Sequence, residues 1–558
     1  MTEVPAAAMT ARLAALPPAD RRLIWLFCAA ALAALTLGVA GGLVTALFRA
    51  GFLAPAGDQG YRLLTVHGVS VFFYWLYLAQ IGLFLALAAA ETGGGLARRG
   101  FAVAGAALML AGFAVSEGAA MAGTPLLYDG NPAVALDDPA SVGWFALGYL
   151  LLAAGLAAAA VSGIATVLAP CRRGGLDGFS AVGFALFAWA GFLIVSAMAA
   201  VNAFLPDLLW AVGAGAFPAG HGTNWHILFH GLHYLPLMAT VLIWYVLVRH
   251  LTGVASIHGD RLSKLVFTAY LVFVPPTSLY HMFLEPGLSE GVRVVGSLLS
   301  LFVSVPTLAA FCLIVSSLEA SARARGATGF LGWMGGLPWR HPAMAALGWS
   351  AVNLMLGLIF ALVLIQDKLA PLLSDTFFVP GYFHFFAVGV LTLTFLAAMM
   401  IILPALTGGA LWRPGVLRRM PALISAGLLL FGAAGIAAGL GGVPRRTFDL
   451  GYGGLAPAVW PVLMAAVGVG AILFAAGLSV MVYGVVRTLF ARRVNAPAEL
   501  LPAVDWQPGP DGVGGAPAWT GPASVALLVV GLYAATALAF EWLHHLPLVA
   551  LGGGGHVH

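Results

Sequence analysis

Long apolar runs, separated by short segments rich in glycine, proline and charged residues, divide the 558-residue chain. A helix needs about 20 apolar residues to cross the hydrocarbon core of a bilayer, and thirteen runs of that kind can be placed on this chain. They begin near residues 23, 64, 101, 141, 180, 223, 263, 291, 341, 379, 421, 459 and 522. We therefore expect an all-α bundle of about thirteen transmembrane helices, numbered here in chain order.

The composition leads to the same interpretation. Hydrophobic residues make up 61% of the chain and charged residues only 8%, whereas soluble domains carry about 25% charged residues. A surface that faces water all round is thereby excluded. We expect an N-terminal cytoplasmic segment (residues 1–20), one transmembrane domain (21–547) and a flexible C-terminal tail (548–558).

The charged residues between the predicted helices alternate in sign. One set of connections is basic and the other is acidic. The basic set holds Arg21, Arg22, Arg98, Arg99, Arg172, Arg173, Arg249, Arg261, Lys264, Arg323, Arg325, Arg340, Arg413, Arg418, Arg419, Arg487, Arg492 and Arg493; the acidic set holds Asp58, Asp129, Asp137, Asp138, Asp207, Glu285, Glu290, Asp367, Asp375 and Asp449. The positive-inside rule predicts a cytoplasmic N-terminus and a multi-pass protein of a prokaryotic inner membrane.

Two classes of chemistry are absent from the sequence patterns. The basic residues lie in short loops without interleaved aromatic residues, so we expect no nucleic-acid partner. The three cysteines, Cys28, Cys171 and Cys312, lie far apart and form neither a heme attachment motif nor a paired thiolate site. A dicopper or c-type heme electron donor therefore has to reside on another subunit.

Six histidines fall at one predicted depth, in the outer half of four helices. Helices 2, 6 and 10 start at the outer face and helix 7 ends there; they carry His67, His226, His230, His233, His281 and His384. Polar side chains inside a membrane are costly and usually functional, and histidine is a common ligand of heme iron, copper and zinc. This clustering predicts a heme or metal site.

Five segments resemble subunit I of the heme–copper oxidase superfamily, most closely its B-type branch with thirteen helices. They are LTVHGV, FVPPTSLYHMFLEPG, SLLSLFVSVPTLAAF, VPGYFHFF and GVPRRTFD, from helix 2 to the loop after helix 11. The resemblance implies that His67 and His384 are the axial ligands of a low-spin heme, b-type by expectation. It also implies that Arg445 and Arg446 bind heme propionates, since guanidinium groups pair well with carboxylates.

Helix 6 resembles the family segment in which a copper-ligating histidine precedes a cross-linked tyrosine by four residues. His230 and Tyr234 have that spacing, and the resemblance makes His281 on helix 7 a further metal ligand. Tyr245 then matches a tyrosine of the proton pathway. The hydroxyl residues of helix 8 are expected either to continue that pathway or simply to bond their own helix backbone; they are Ser300, Ser304 and Thr307.

The chain departs from the family at two metal ligands. Tyr280 stands where the copper segment has the first of two adjacent histidines, and Tyr382 stands where the high-spin heme has its histidine. Tyrosinate can bind heme iron, so Tyr382 is one candidate ligand of a second heme. His226 or His233 is a candidate replacement in the metal site, for copper or for iron; loss of the second site is the other alternative.

The resemblance implies a respiratory oxidoreductase that passes electrons through the low-spin heme to a site that reduces dioxygen to water. Tyr234 favours this reaction, because a tyrosine beside the metal can supply an electron and a proton when the O–O bond breaks. Nitric oxide reduction and a heme-b electron-transfer subunit are the alternatives. The expected partners are a subunit II-like protein, with a dicopper centre or cytochrome c, and a cytochrome c or cupredoxin donor.

Overall fold

The computed structural model describes residues 6–170, 179–253, 259–274, 304–364, 369–449, 451 and 454–491. Twelve long helices run through these ranges and correspond to predicted helices 1 to 12; predicted helix 13 lies outside them. They are α1 Pro18–Arg49, α2 Gln59–Thr92, α3 Arg99–Ala122, α4 Pro139–Val167, α5 Ala181–Ala211, α6 His221–Thr252, α7 Gly259–Phe273, α8 Ser304–Ala324, α9 Pro342–Leu364, α10 Phe378–Thr407, α11 Pro414–Leu440 and α12 Val459–Leu489.

The all-helical bundle predicted from the apolar runs is confirmed. In the described part of the chain, eleven helices are long and apolar enough to cross a membrane; α7, with 15 described residues, is the exception. Three helices end at a glycine with a positive φ angle, a conformation that costs glycine little. These glycines are Gly93, Gly253 and Gly408, with φ of 67°, 73° and 70°.

A short helix, Ala6–Ala14, precedes the bundle and lies within the segment predicted to be separate from it. The Arg12 guanidinium donates hydrogen bonds to the backbone oxygens of Ala90 and Glu91, at 2.9 and 3.2 Å. This contact places the N-terminal helix against the end of α2. Two further short helices, Ala370–Leu373 and the 3₁₀ segment Gly332–Gly336, lie in connections.

The basic and acidic connections lie at opposite ends of the bundle. At one end, here called the arginine-rich face, Asp20 pairs with Arg99 at 3.3 Å. At the other, here called the acidic face, Arg62 pairs with Asp58 at 2.7 Å. The helix alternation on which the orientation prediction rests is therefore present, and the assignment of the arginine-rich face to the cytoplasm stays a prediction.

Helices α2 and α10 form the centre of the bundle. In their most apolar stretches 94% and 83% of residues are buried, against 33% in α3. Both helices change to π-helical winding shortly after their candidate ligand, over Val69–Trp75 and Phe385–Thr392. Such segments are rare and concentrate at functional sites. The winding therefore coincides with the predicted site.

Three buried side-chain hydrogen bonds connect the helices that carry the histidines. The Trp75 indole donates to Thr392 Oγ1 at 3.1 Å, which joins the two π segments. Trp244 of α6 donates to Thr394 Oγ1 of α10 at 2.9 Å. The Tyr77 hydroxyl donates to the backbone oxygen of Leu232 at 2.6 Å. Because buried polar groups bond wherever geometry allows, these bonds fix α2, α6 and α10 relative to one another.

Candidate functional site

His67 and His384 face each other across the bundle centre. Their imidazole rings are within 5° of parallel and their centroids lie 6.3 Å apart. The Nδ1 atom of each ring lies 2.7 Å from a backbone oxygen, Gly38 O for His67 and Pro380 O for His384. A carbonyl oxygen can only accept, so both Nδ1 atoms donate. Each Nε2 is thereby left with its lone pair for a metal, as in many histidine metal sites.

The spacing of the two rings fits one metal ion between them. A metal–imidazole bond measures about 2 Å and the coordinating nitrogen lies about 1 Å from its ring centre, so a bis-imidazole complex separates the centres by about 6 Å. The observed 6.3 Å agrees with that value. Helix α1 accommodates the arrangement through Gly42, where an added Cβ would lie 2.6 Å from Cε1 of His67.

The segment that carries Arg445 and Arg446 is fixed beside the start of α10. Thr376 and Pro444 form an isolated antiparallel bridge. The amide of Phe377 donates to Val443 O at 2.7 Å, and the amide of Arg445 donates to Asp375 O at 2.9 Å. The loop after α11 is thus joined to the helix of His384 through backbone bonds, which position the arginine pair independently of side-chain rotamers.

Arg445 has hydrogen-bonding capacity to spare. Its Nη2 contacts the Asp375 carboxylate at 3.0 Å, while its Nε is buried and has no hydrogen-bond partner among the described residues. Arg49, only 3% exposed at the end of α1, donates to the backbone oxygens of Pro444 and, at 2.8 Å, Arg445. An unsatisfied buried guanidinium N–H fits a carboxylate such as a heme propionate.

Arg446 belongs to a second polar group at the acidic face. Its Nη1 lies 3.3 Å from the Asp129 carboxylate, and His221 Nε2 lies 2.9 Å from Asp129 O. His221 Nδ1 lies 2.7 Å from the Asp207 carboxylate. Burial by itself lowers the pKa of Arg446, but Asp129 and Tyr128 raise it above its ordinary value. Arg446 therefore stays cationic, as a propionate partner requires.

The α6 residues predicted for the second site lie beside the His67–His384 pair. The rings of His230 and Tyr234 are 5.7 Å apart, as expected one helical turn apart. The His233 ring lies 4.5 Å from that of Phe383, the neighbour of His384. Tyr382 is close enough to Tyr234 for the two hydroxyls to interact electrostatically. The structure thus brings the α6 and α10 candidates together around Phe383.

The metal ligands of this second site are only partly described. Within the described ranges no three His, Cys, Asp or Glu side chains lie close enough to hold a metal ion. The spacing of His226, His230 and His233 along α6 therefore does not by itself produce a three-ligand site. Tyr280 and His281 lie outside the described residues. Their placement, and any ligand set that includes His281, stay predictions.

The predicted proton pathway gains one residue. Thr307 Oγ1 lies 2.7 Å from the hydroxyl of Tyr270 on α7, and the ring of Tyr245 lies 5.6 Å from that of Phe267 on the same helix. Tyr270 is close enough to both Tyr245 and Tyr234 to interact electrostatically. Ser304 is buried at the first described position of α8, and Ser300 lies outside the described residues.

Sequence reasoning missed several residues that support the site. Arg49 carried a usable signal, because it is a basic residue beside the acidic face. Tyr270 and Glu117 had the general signal of a polar residue within an apolar run. Gly42, Trp75 and Thr392 carried none, since each acts through a contact between helices distant in sequence.

Replacing Thr392 with valine should destabilise the centre of the bundle. The substitution removes the acceptor of the buried Trp75 N–H, and an unsatisfied buried donor costs about 1–3 kcal/mol. We expect a lower thermal unfolding temperature in detergent. Thr268→Val is the matched control, because the Thr268 hydroxyl bonds only the backbone of its own helix, at Lys264 O. Equal unfolding temperatures in the two variants would contradict the structural role of this bond.

Comparison with known proteins places this geometry in a family. The model of the family described as Cytochrome C and Quinol oxidase polypeptide I matches residues 22–473. Cytochrome c oxidase subunit 1 of Thermus thermophilus is 28% identical over 266 residues, 47% of this chain and 47% of that protein. The matched region thus spans about half the length of this relative.

A solved structure supports the fold over nearly the whole chain. A heme–copper terminal oxidase dimer, determined by cryo-EM, superposes with a TM-score of 0.79 over 95% of this chain and 93% of its own. The identity is 20%, so this similarity concerns the fold alone. The family match covers most of the chain and includes His67, His384, Arg445 and Arg446. The chain therefore belongs to the cytochrome c and quinol oxidase polypeptide I family.

Proposed function

We propose that this protein is the heme-bearing subunit of a respiratory terminal oxidase, which accepts electrons at a low-spin heme and reduces dioxygen to water. The observation that carries the proposal is the pair His67 and His384, whose parallel rings lie 6.3 Å apart with both Nδ1 atoms donating to backbone oxygens. A heme bound there would supply one-electron transfer. We propose a b-type heme and the B-type branch of the family.

The side chains around this pair have separate tasks. The two backbone acceptors hold His67 and His384 in the tautomer that presents Nε2. The free Nε–H of Arg445 binds a propionate, and Arg49 keeps the arginine loop in place from below. The aromatic rings of Phe72, Phe229 and Phe383 fill the space towards α6 and exclude water, which raises the strength of every electrostatic interaction inside.

The second site is proposed at His230 and Tyr234, with His281 as a further ligand and copper or iron as the metal. Reduction of one dioxygen to two waters consumes four electrons and four protons. Tyr234 lies beside His230, where its hydroxyl can give a proton and an electron to the reacting oxygen. Tyr245 lies eleven residues further along α6, about 16 Å towards the arginine-rich face, which provides a route for protons.

Partners and location follow from the family and the composition. The electron donor is proposed to be a cytochrome c or a cupredoxin that acts through a subunit II-like protein. The protein is proposed to span a prokaryotic inner membrane with its N-terminus in the cytoplasm, since the arginine-rich loops collect at one face.

A second candidate function is electron transfer alone. It is favoured by Tyr382, which occupies the position of the expected high-spin heme ligand and lies among Phe378, Phe383 and Phe386. In this case the His67–His384 heme exchanges electrons with a partner and no gas is reduced. Nitric oxide reduction is the third possibility that the family background admits.

Optical spectra of the purified protein separate these candidates. For the oxidase we expect a dithionite-reduced low-spin band that carbon monoxide leaves unchanged, together with a carbon monoxide-sensitive heme band and oxygen uptake with reduced cytochrome c. A low-spin band without any carbon monoxide response would favour electron transfer alone. Consumption of nitric oxide without oxygen uptake would favour the reductase. Tyr234→Phe should abolish oxygen uptake while the low-spin band persists.

A further inference from the structure

Glu117 is a carboxylic acid within the membrane-spanning helix α3, five residues before its end at the acidic face. The Ser70 hydroxyl of α2 donates to Glu117 Oε1 at 2.6 Å. Glu117 Oε2 is buried and has no hydrogen-bond partner among the residues that the structure describes. In the same part of the chain no basic side chain forms an ion pair with it. Half of this carboxyl group is thus open to a ligand.

The titratable groups around Glu117 are occupied elsewhere. The Tyr74 hydroxyl of α2 lies 3.3 Å from Gly148 O and 3.4 Å from Ser116 Oγ. The Tyr149 hydroxyl of α4 donates to Tyr128 O at 2.7 Å. Tyrosine hydroxyls are neutral at physiological pH. Neither therefore compensates a negative charge on Glu117.

The charged groups near α3 are also paired. Arg62, at the start of α2, binds the Asp58 carboxylate and Gly123 O. Asp138 accepts hydrogen bonds from Thr124 and Ser141, which lower its pKa to about 2. Asp129, in the same loop, is paired with Arg446. Helix α1 meets α3 through Asp20 and Arg99 at the opposite face.

An unpaired carboxylate in such surroundings is unfavourable. Removing a charge from water without a counter-ion costs several kcal/mol, whereas a neutral carboxyl that lacks one hydrogen bond costs about 1–3 kcal/mol. The balance between the charged and neutral forms is therefore sensitive to any change in the local potential. Such a group is suited to bind and release a proton when a nearby charge changes.

The nearest candidate source of such a change is the iron site. Ser70, the hydrogen-bond donor to Glu117, follows His67 by three residues on α2, which is about 5 Å along the helix axis. At an effective dielectric constant of about 20, two unit charges about 10 Å apart still interact by more than thermal energy. An electron arriving at the His67–His384 site consequently favours the protonated form of Glu117.

We propose that Glu117 is a proton-binding site whose occupancy is coupled to the electron held between His67 and His384. This inference rests on the proposed function, because it requires the heme. When an external donor delivers one electron to the ferric heme, the Glu117 carboxylate binds one proton from water and becomes a carboxylic acid. Reoxidation releases that proton. By reciprocity, protonation of Glu117 raises the reduction potential of the heme.

Redox titration of the purified, heme-loaded protein over the neutral pH range tests the proposal. For the wild type we expect the low-spin midpoint potential to fall as pH rises, by at most about 59 mV for each tenfold fall in proton concentration in a one-electron step. Glu117→Gln should remove most of this slope at unchanged heme content. Reduced-minus-oxidised infrared spectra should show a carboxylic acid band in the wild type that is missing in Glu117→Gln.

Glu91→Gln is the matched control. Glu91 also accepts a hydrogen bond from a serine, Ser180, at 2.5 Å, but it lies at the arginine-rich end of α2, 24 residues from His67. This control should keep the wild-type slope and band. A wild-type potential that is independent of pH, or a slope that persists in Glu117→Gln, would overturn the proposal. A wild-type protein that binds no heme would instead refute the proposed function, and this inference with it.

Discussion

Replacing His67 with alanine is expected to abolish binding of the low-spin heme while the helical bundle stays folded. The substitution removes one of the two nitrogens that fit a single iron, and a truncated side chain at this position has no atom that can replace it. Helix α2 is held by other contacts, including the bonds of Trp75 and Tyr77 to neighbouring helices. His384→Ala should give the same result, since the two ligands are equivalent.

The measurement is heme content per protein from the pyridine hemochrome spectrum, with far-ultraviolet circular dichroism to check folding. His341→Ala is the control, because His341 Nδ1 only accepts the backbone N–H of Ala343 at the start of α9. We expect full heme content in that control. Wild-type heme content and an unshifted low-spin band in both His67→Ala and His384→Ala would show that these histidines are not the ligands.

Replacing Gly42 with alanine is expected to disturb the same heme from a neighbouring helix. The added methyl group would overlap Nδ1 of His67 and lie 2.6 Å from Cε1 of its ring. The ring cannot yield without losing its hydrogen bond to Gly38 O. Overpacking of this kind costs about 1–3 kcal/mol. We expect reduced heme content or a shifted low-spin band, and a lower unfolding temperature.

Gly191→Ala is the matched control for this prediction. Gly191 lies in the middle of α5, and a Cβ added there meets nothing within 4 Å. Alanine is the better helix former by about 1 kcal/mol, so this variant should be as stable as the wild type or slightly more stable. If Gly42→Ala behaved like Gly191→Ala in both heme spectrum and stability, close packing of α1 on the His67 ring would be contradicted.

Much of the fold can be read from single-chain patterns. Each helix of this bundle satisfies its own backbone hydrogen bonds, so an apolar run of sufficient length predicts a helix whatever its neighbours are. This holds for α1 to α6, which lie within a few residues of the predicted starts. The His230–Tyr234 contact was equally accessible, since residues four apart on a helix are always neighbours. The metal set that includes His281 stays untested.

The sequence by itself determined the helical class, the alternation of arginine-rich and acidic ends, and the candidate ligands His67 and His384. These properties depend on the length, charge and order of the apolar runs, which are local quantities. Only the tertiary structure decided that the two rings stand parallel 6.3 Å apart, that Gly42 leaves room for one of them, and that Glu117 Oε2 is buried without a partner. Those features arise where helices distant in sequence pack together, and lipid-soluble helices carry little one-dimensional record of which faces meet.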